Sequence, residues 1–382
     1  MNATLIWGFV VLVAAAVYPL LGYPLILAGI ALVRPRPVRR GEYLPPVTVL
    51  IPAYNEAACI AATIQNKLEQ DYPGGRLEII VVSDASEDAT DQIVGQYAGS
   101  GVRLLRRPQR AGKAAALNEA VQHSRGEIIV FSDANSTFAT DTVRRLVENF
   151  ADGRVGYVTG SLRYVAGREA SGRGGSAYMR YENWLRRIET RVDSVVGVNG
   201  GVDAMRRELY ADVPADQISD FVLPLRVIAA GYRVVYDERA LSSEAANQEL
   251  GQEFRMRVRV ALRALRGLAY MRADLSVIRM PLAMFCIFSH KVLRYFGFAF
   301  LAGALLLNCV LATRSQLFAY LLLAQLTCYA LGLLGLSRSL PASLRMLTSL
   351  PTYFLMSNVA FGVATLRFVR GDVVATWRPR GG

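Results

Sequence analysis

The sequence predicts an α/β domain with a mostly parallel sheet, joined to transmembrane α-helices. Three observations carry this. Between residues 47 and 150, short apolar runs alternate with segments of helical spacing. The runs are apolar throughout rather than at every second residue, the pattern of strands covered on both faces. Outside residues 47–250 the chain becomes apolar over long charge-free stretches, and about 20 such residues cross a bilayer as a helix.

The strands are expected at Val47–Ile51, Glu78–Ser83, Val102–Leu105 and Glu127–Ser132. Helices are expected at Glu56–Gln70, Asp88–Tyr97, Ala111–His123 and Asp141–Phe150. No GxGxxG follows the first strand, so a dinucleotide fold of the usual kind is not supported. Val155–Val165 reads as a further strand. Ala166–Ser176, rich in glycine and charge, reads as a mobile loop. Tyr178–Val192 reads as a helix, and the run from Asp216 as acid, helix, glycine turn and strand.

Met1–Val33 contains no charged residue, and neither do Phe296–Thr313, Ser315–Ser337 and Met346–Leu366. The first stretch is too long for a signal-peptide core and lacks a small-residue cleavage pattern, so a retained anchor is expected. Arg34, Arg36, Arg39 and Arg40 follow it, which by the positive-inside rule puts the next domain in the cytoplasm. The formal charge of +12 arises from 43 Lys and Arg against 31 Asp and Glu. Arginine clusters beside apolar spans suit anionic membrane lipid, and nucleic acid is not expected as a partner. Glu253–Arg272 alternates arginine with apolar residues, as in a basic helix lying on a membrane surface. Cys59, Cys286, Cys309 and Cys328 lack metal-ligand spacing and read as small fillers in a reducing compartment.

The expected organisation is a membrane anchor over 1–33, a basic linker over 34–46 and the α/β domain over 47–250. Amphipathic interfacial helices follow over 251–292, transmembrane helices over 293–368 and a basic tail over 369–382. The expected location is the cell (inner or plasma) membrane, with several spans and the α/β domain cytoplasmic. One anchor and three later spans conflict with the basic tail at Arg367, Arg370, Arg378 and Arg380. Either one span is re-entrant or the segment before it crosses.

The strand segments "LEIIVVSDAS" and "GEIIVFSDAN" each end at an acid, Asp84 and Asp133. In parallel α/β sheets, ligands bind beyond the carboxyl ends of the strands. The plainer alternative is that each caps a helix or forms a turn. His123 and His290 are the only histidines and lie in no motif, which argues against acyl transfer by a triad. A strand-end carboxylate can hold Mg²⁺ or Mn²⁺ on a substrate diphosphate. A second carboxylate can then deprotonate an incoming hydroxyl. This is the minimal machinery for glycosyl transfer from a nucleotide sugar.

"IPAYNEAACI", "VSDASEDAT", "RAGKAAALNEA", "FSDAN" and "ISDFVLPLRVIAAGYRVVY" resemble the family 2 glycosyltransferases, in the order that family shows. The likeness covers residues 47 to about 260. The flanking spans resemble its membrane-bound members, the synthases of hyaluronan, cellulose and poly-N-acetylglucosamine. The resemblance implies a GT-A, Rossmann-like fold. It implies that Ala53, Tyr54 and Glu56 meet the nucleotide, that Asp84 contacts the nucleobase and that Lys113 lies near the donor. It implies that Asp133 meets the donor ribose and metal, that Asp220 is the general base, and that Gly200 and Gly201 form a turn on the acceptor side.

Two positions depart from the pattern. Asn135 replaces the second carboxylate of a DxD motif; an amide oxygen can ligate a hard cation but brings no charge. Gln252 and Arg255 keep the spacing of a Gln-x-x-Arg-Trp motif, but Met256 replaces the Trp. Arg255 or Arg257 is expected to face the diphosphate; lipid contact is the alternative.

The expected activity is inverting transfer of a hexosyl or N-acetylhexosaminyl group from a nucleotide sugar, UDP-linked, to a saccharide acceptor in polysaccharide synthesis. Single transfer to a polyprenyl phosphate or other lipid carrier is the alternative, and a non-catalytic scaffold of an export complex is a third. Few spans leave little room for a polymer channel, which points to a homodimer or an export partner.

Overall fold

The computed structural model describes residues 2–165, 171–245, 250–337 and 340–373. At its centre is an eight-stranded sheet in the order β3-β2-β1-β4-β7-β6-β8-β5. The strands are β1 (Val47–Ala53), β2 (Leu77–Ser83), β3 (Val102–Arg106), β4 (Ile128–Ser132), β5 (Thr137–Phe138), β6 (Val155–Val165), β7 (Val202–Arg206) and β8 (Arg233–Ala245). The first half of the sheet is parallel. β7 then runs antiparallel between β4 and β6, so the whole is mixed but dominated by parallel pairing.

Every residue of β1 is buried, because alternate residues serve two cores. Leu50 joins one cluster with Ile80 and Ile129, against Ala116, Leu117 and Ala120 of α5 (Lys113–His123). Val49 and Ile51 join the other, against Ile60 and Ile64 of α3 (Ile60–Leu68) and Val143 and Leu146 of α6 (Thr142–Val147). α4 (Thr90–Gly95) closes the connection between β2 and β3.

The remaining helices are α1 (Ala3–Val17), α2 (Gly22–Val33), α7 (Ser171–Val192), α8 (Ser219–Ala229) and α9 (Leu250–Met271). α10 (Pro281–Cys286) passes through a π-helical stretch, Ile287–Val292, into α11 (Leu293–Tyr295), followed by α12 (Gly297–Ala312), α13 (Gln316–Leu334) and α14 (Ala342–Val369). Two helical stretches, Gln316–Leu334 and Ser343–Val369, are long and apolar enough to cross a membrane. Two further pairs qualify only as bent units: α1 with α2 at 59°, and Pro281–Tyr295 with α12 at 56°. Much of the α13 surface is exposed leucine and tyrosine, which suits contact with lipid.

Several expectations change here. Met1–Val33 is not one straight anchor. Tyr23 and Leu27 of α2 are fully buried, and the Tyr23 hydroxyl donates to Glu189 Oε1 of α7 at 2.7 Å. The second half of the apolar stretch therefore covers protein. The linker arginines also have protein partners. Arg36 pairs with Asp193 at 2.6 Å and Arg40 with Asp237 at 3.2 Å, so their charge is spent on the α/β domain. The apolar face of α9 packs on Ala360 and Ala364 of α14. Its Arg263 donates to the Gln217 carbonyl, and Arg266 pairs with Asp216 at 2.9 Å. Of the loop expected at Ala166–Ser176, residues 166–170 lie outside the described residues, and Ser171 begins α7. Most of the basic tail also lies outside them.

Candidate active site

The ends of β1 and β2 turn sharply away from the sheet. Asn55 and Ala85 both have left-handed backbones, with φ of 52° and 59°, a conformation that costs an L-residue about 1–2 kcal/mol. Hydrogen bonds hold the two turns together. The Asn55 amide donates to Ser86 Oγ at 3.2 Å, and the Glu87 amide to Asn55 Oδ1 at 2.8 Å. The Glu56 amide donates to Thr90 Oγ1 at 2.9 Å. Cys59 Sγ donates to Glu56 Oε2 at 3.2 Å, and burial with Glu56 beside it pushes the thiol up to about 12.

Asp84 is fully buried. It accepts from Arg107 Nη1 at 2.9 Å and from the Ala111 and Gly112 amides at 3.0 and 2.7 Å. Its carboxylate is thus enclosed by the turn that precedes α5. On that turn Arg110 stacks over the Tyr54 ring, 3.6 Å from its centroid. Asp84 is thus covered by its partners, while Tyr54 and Arg110 are both half-buried. Arg107 and Arg110 are functional candidates that a motif reading centred on acids overlooks.

Lys113 opens α5, one residue beyond the Asp84 clamp. Its Nζ lies 2.6 Å from Asp133 Oδ1 and 3.6 Å from Asp220 Oδ2. Burial works against the ammonium, but Asp133 and Asp220 outweigh it and hold the lysine above its ordinary value. Sequence-distant acids are therefore brought onto one cation. Asp133 follows β4, and Asp220 stands in the first turn of α8, where a carboxylate is favoured by the helix dipole.

β7 supplies the floor. Ser132 pairs with Val202, which sets Gly201 across from Asp133 and Gly200 beneath Asp220. A Cβ on Gly201 would lie 2.6 Å from Glu244 Oε1, 2.9 Å from Ser136 Oγ and 3.3 Å from Asp133 Oδ2. Gly200 has φ of +91°, and a Cβ there would lie 2.6 Å from Asp220 Oδ2. Its amide donates to Asp203 Oδ2 at 3.1 Å. Asp203 is fully buried, also accepts from the Tyr157 hydroxyl at 2.8 Å, and is pushed up to about 7 by burial and by Asp220. An acid inside the apolar run "GGVDAM" was the available signal for it.

The crevice offers a hard cation only part of a shell. Among the described residues no three His, Cys, Asp or Glu side chains converge on a metal position. Asp133 Oδ2 and Glu244 Oε1 flank the bare face of Gly201, and Asn135 lies half-buried in the same turn as Asp133. Oxygen donors of this number fit Mg²⁺ or Mn²⁺, which take one or two carboxylates and complete the shell with substrate phosphate and water.

Arg255 and Arg257 stand apart from this cluster. Arg255 is exposed. Arg257 pairs with Glu253 at 2.8 Å, stacks over Tyr353 and lines a separate cavity. Arg257 is seen against aromatic rings rather than against Lys113, Asp133 or Asp220. α9 directs Arg257 toward Tyr178 of α7 and Tyr353 of α14.

Residues 48–213 match the description Glycosyl transferase family 2. They form a glycosyl transferase family 2 domain. A beta-monoglucosyldiacylglycerol synthase of Trichormus variabilis is 30% identical over 187 residues, 47% of this chain and 40% of that protein. An N-acetylglucosaminyltransferase of a Rhizobium species is 28% identical over 258 residues, 59% of this chain and 56% of that protein. The chain thus spans about half the length of the curated relatives it matches. A mannosyltransferase of Pyrobaculum calidifontis, solved in complex with GDP-Man and Mn²⁺, has a TM-score of 0.73 at 27% identity. That likeness covers 96% of this chain and 99% of the other. The family 2 domain is therefore built on a GT-A-like sheet, and the crevice at its strand ends contains Lys113, Asp133 and Asp220.

Proposed function

We propose that this protein is a membrane-associated, inverting glycosyltransferase that moves a sugar from a nucleoside-diphosphate donor to a hydroxyl acceptor. The observation that carries the reading is Lys113, placed between Asp133 and Asp220 at the strand ends of a family 2 domain. In this reading Tyr54 and Arg110 hold the nucleobase, and Asp84 acts by fixing the turn that carries Arg110. Lys113 neutralises charge on the diphosphate as it leaves, a role suited to a compact ammonium. Asp133, Asn135 and Glu244 would hold Mg²⁺ or Mn²⁺ with the donor phosphates, and the cation would stabilise the leaving diphosphate.

Asp220 takes the proton of the acceptor hydroxyl. The hydroxyl oxygen forms the new bond to the anomeric carbon while the bond to the diphosphate breaks on the opposite face. One displacement inverts configuration. No second carboxylate has been assigned as a covalent nucleophile, as retention by double displacement would require. Gly200 and Gly201 leave the floor open for the acceptor. The domain faces the cytoplasm in this reading, with the apolar helices anchoring it as a multi-pass protein. A UDP-sugar is the donor suggested by the sequence, and the GDP-Man held by the Pyrobaculum calidifontis enzyme makes GDP-mannose the second donor to try.

The test is release of nucleoside diphosphate by purified full-length protein with Mn²⁺, across a panel of UDP- and GDP-sugars. Asp220→Asn is expected to abolish turnover while donor binding persists. Turnover unchanged in Asp220→Asn removes Asp220 from the role of base. No release with any donor, even with native membrane extract as acceptor, favours a non-catalytic scaffold.

A further inference from the structure

A second cavity, of about 420 Å³, lies outside the crevice. It sits where the bend between α1 and α2 meets α7, α9, α11, α12 and α14. Its walls are largely apolar, with Leu20, Leu301 and Phe354 among them. Two arginines interrupt these walls. Arg257 is held by Glu253 at 2.8 Å and Arg294 by Glu182 at 2.5 Å. The Tyr178 ring lies between them, 5.4 Å from one guanidinium and 5.3 Å from the other.

Each guanidinium keeps one buried nitrogen with no partner among the described residues, Nε on Arg257 and Nη2 on Arg294. A buried unpaired donor costs about 1–3 kcal/mol, more on a charged group. Two of them on arginines lining one cavity call for an acceptor group that arrives with a ligand. Arginine matches phosphate oxygens through its planar fork of donors. A long apolar chain matches the remaining wall.

Two relays of residues run from the cavity toward the floor of the crevice. Arg294 lies one helical turn after Lys291, whose Nζ is placed against Gly197. The Gly197 carbonyl accepts from Arg186 Nε at 2.7 Å. Three residues on, Gly200 touches Asp220. On the other side, Arg257 precedes Arg263 by six residues of α9, roughly 9 Å along a helix. Arg263 donates to the Gln217 carbonyl just ahead of Asp220.

We infer that this cavity holds a membrane lipid bearing a phosphate. Its chain occupies the apolar wall, its phosphate takes the free donors of Arg257 and Arg294, and its head group extends toward the Asp220 side. This rests on the transfer reading of the Asp220 crevice and names the acceptor class for it. The same chemistry is offered by a glycerophospholipid and by a polyprenyl phosphate carrying a sugar.

The test is native mass spectrometry of delipidated full-length protein, with donor binding followed in parallel. The probes are dioleoylphosphatidylglycerol, undecaprenyl phosphate and, as a lipid without phosphate, diolein. Retention of either phosphate-bearing lipid above diolein is expected, and the tighter of the two identifies the source. Arg257→Met is expected to weaken that retention roughly tenfold, with nucleoside diphosphate binding unchanged. Leu301→Trp leaves both arginines in place and fills the wall, so it is expected to reduce retention too while the protein remains folded. Equal retention of diolein overturns the inference, as does unaltered retention in both variants. Loss of donor turnover in a protein that still retains phosphate-bearing lipid would fail the transfer reading and leave the lipid site standing.

Discussion

A Cβ placed on Gly200 would lie 2.6 Å from Asp220 Oδ2. The carboxylate expected to act as base rests directly on bare backbone, at a residue with φ of +91°. Gly200→Ala should displace Asp220 and strain the turn. Turnover is expected to fall roughly 100-fold, the usual cost of misplacing a reacting group by about 1 Å. Stability should fall by about 1–2 kcal/mol from the left-handed backbone. Steady-state release of nucleoside diphosphate and a thermal melt check both.

Lys113 carries the opposing charge for two carboxylates. Lys113→Met should cost turnover roughly 100- to 1,000-fold, the range seen when a charge-stabilising donor is removed. Lys113→Arg should rescue it only in part, because a planar fork does not reproduce a compact ammonium. Kinetics of the three proteins at saturating donor decide the point. Equal rates in wild type and Lys113→Met would remove Lys113 from the site.

Asp203 supplies a pH signature. Its folded value is about 7, against about 3.9 in an unfolded chain. Between these values the folded protein binds one more proton, so this group's contribution to stability falls as pH rises from about 4 to about 7 and is level above. Asp203→Asn lacks that proton, so wild type should lose stability relative to the variant over that window. Ionisation of Asp203 also places a second negative charge behind the crevice, which favours removal of a proton from the acceptor hydroxyl. The wild-type rate should therefore climb toward pH 7, and the variant should lack this step. Melting curves at pH 5, 6, 7 and 8 and a pH–rate profile test the two parts.

Asn135 is the natural experiment in the strand-end crevice. Asn135→Asp adds a carboxylate beside Asp133 and should lower the Mn²⁺ concentration needed for donor binding by roughly tenfold, because affinity for hard cations rises with ligand charge. Titration of donor binding against Mn²⁺ measures this. An unchanged midpoint would place the cation away from the turn after β4.

The strands were legible because a sheet buried on both faces leaves continuous apolar runs, as in Val47–Ala53. The acids at their ends were legible because strand ends are where such sheets bind ligands. β7 was not legible. It carries an acid, Asp203, near its start and is stabilised by long-range pairing with β4 and β6. The role of α2 was hidden for a different reason: Tyr23 and Leu27 read alike whether lipid or protein covers them. Arg257 and Arg294, which share the second cavity, are far apart in sequence, and only the tertiary packing of α9 and α11 with α7 and α14 brings them together.

The Gly112 amide binds Asp84, and the next residue, Lys113, binds Asp133. One peptide unit thus ties the Asp84 clamp to the Lys113–Asp133 pair. A change that shifts this turn is felt at both acids at once, so the ends of β2 and β4 answer to a single glycine.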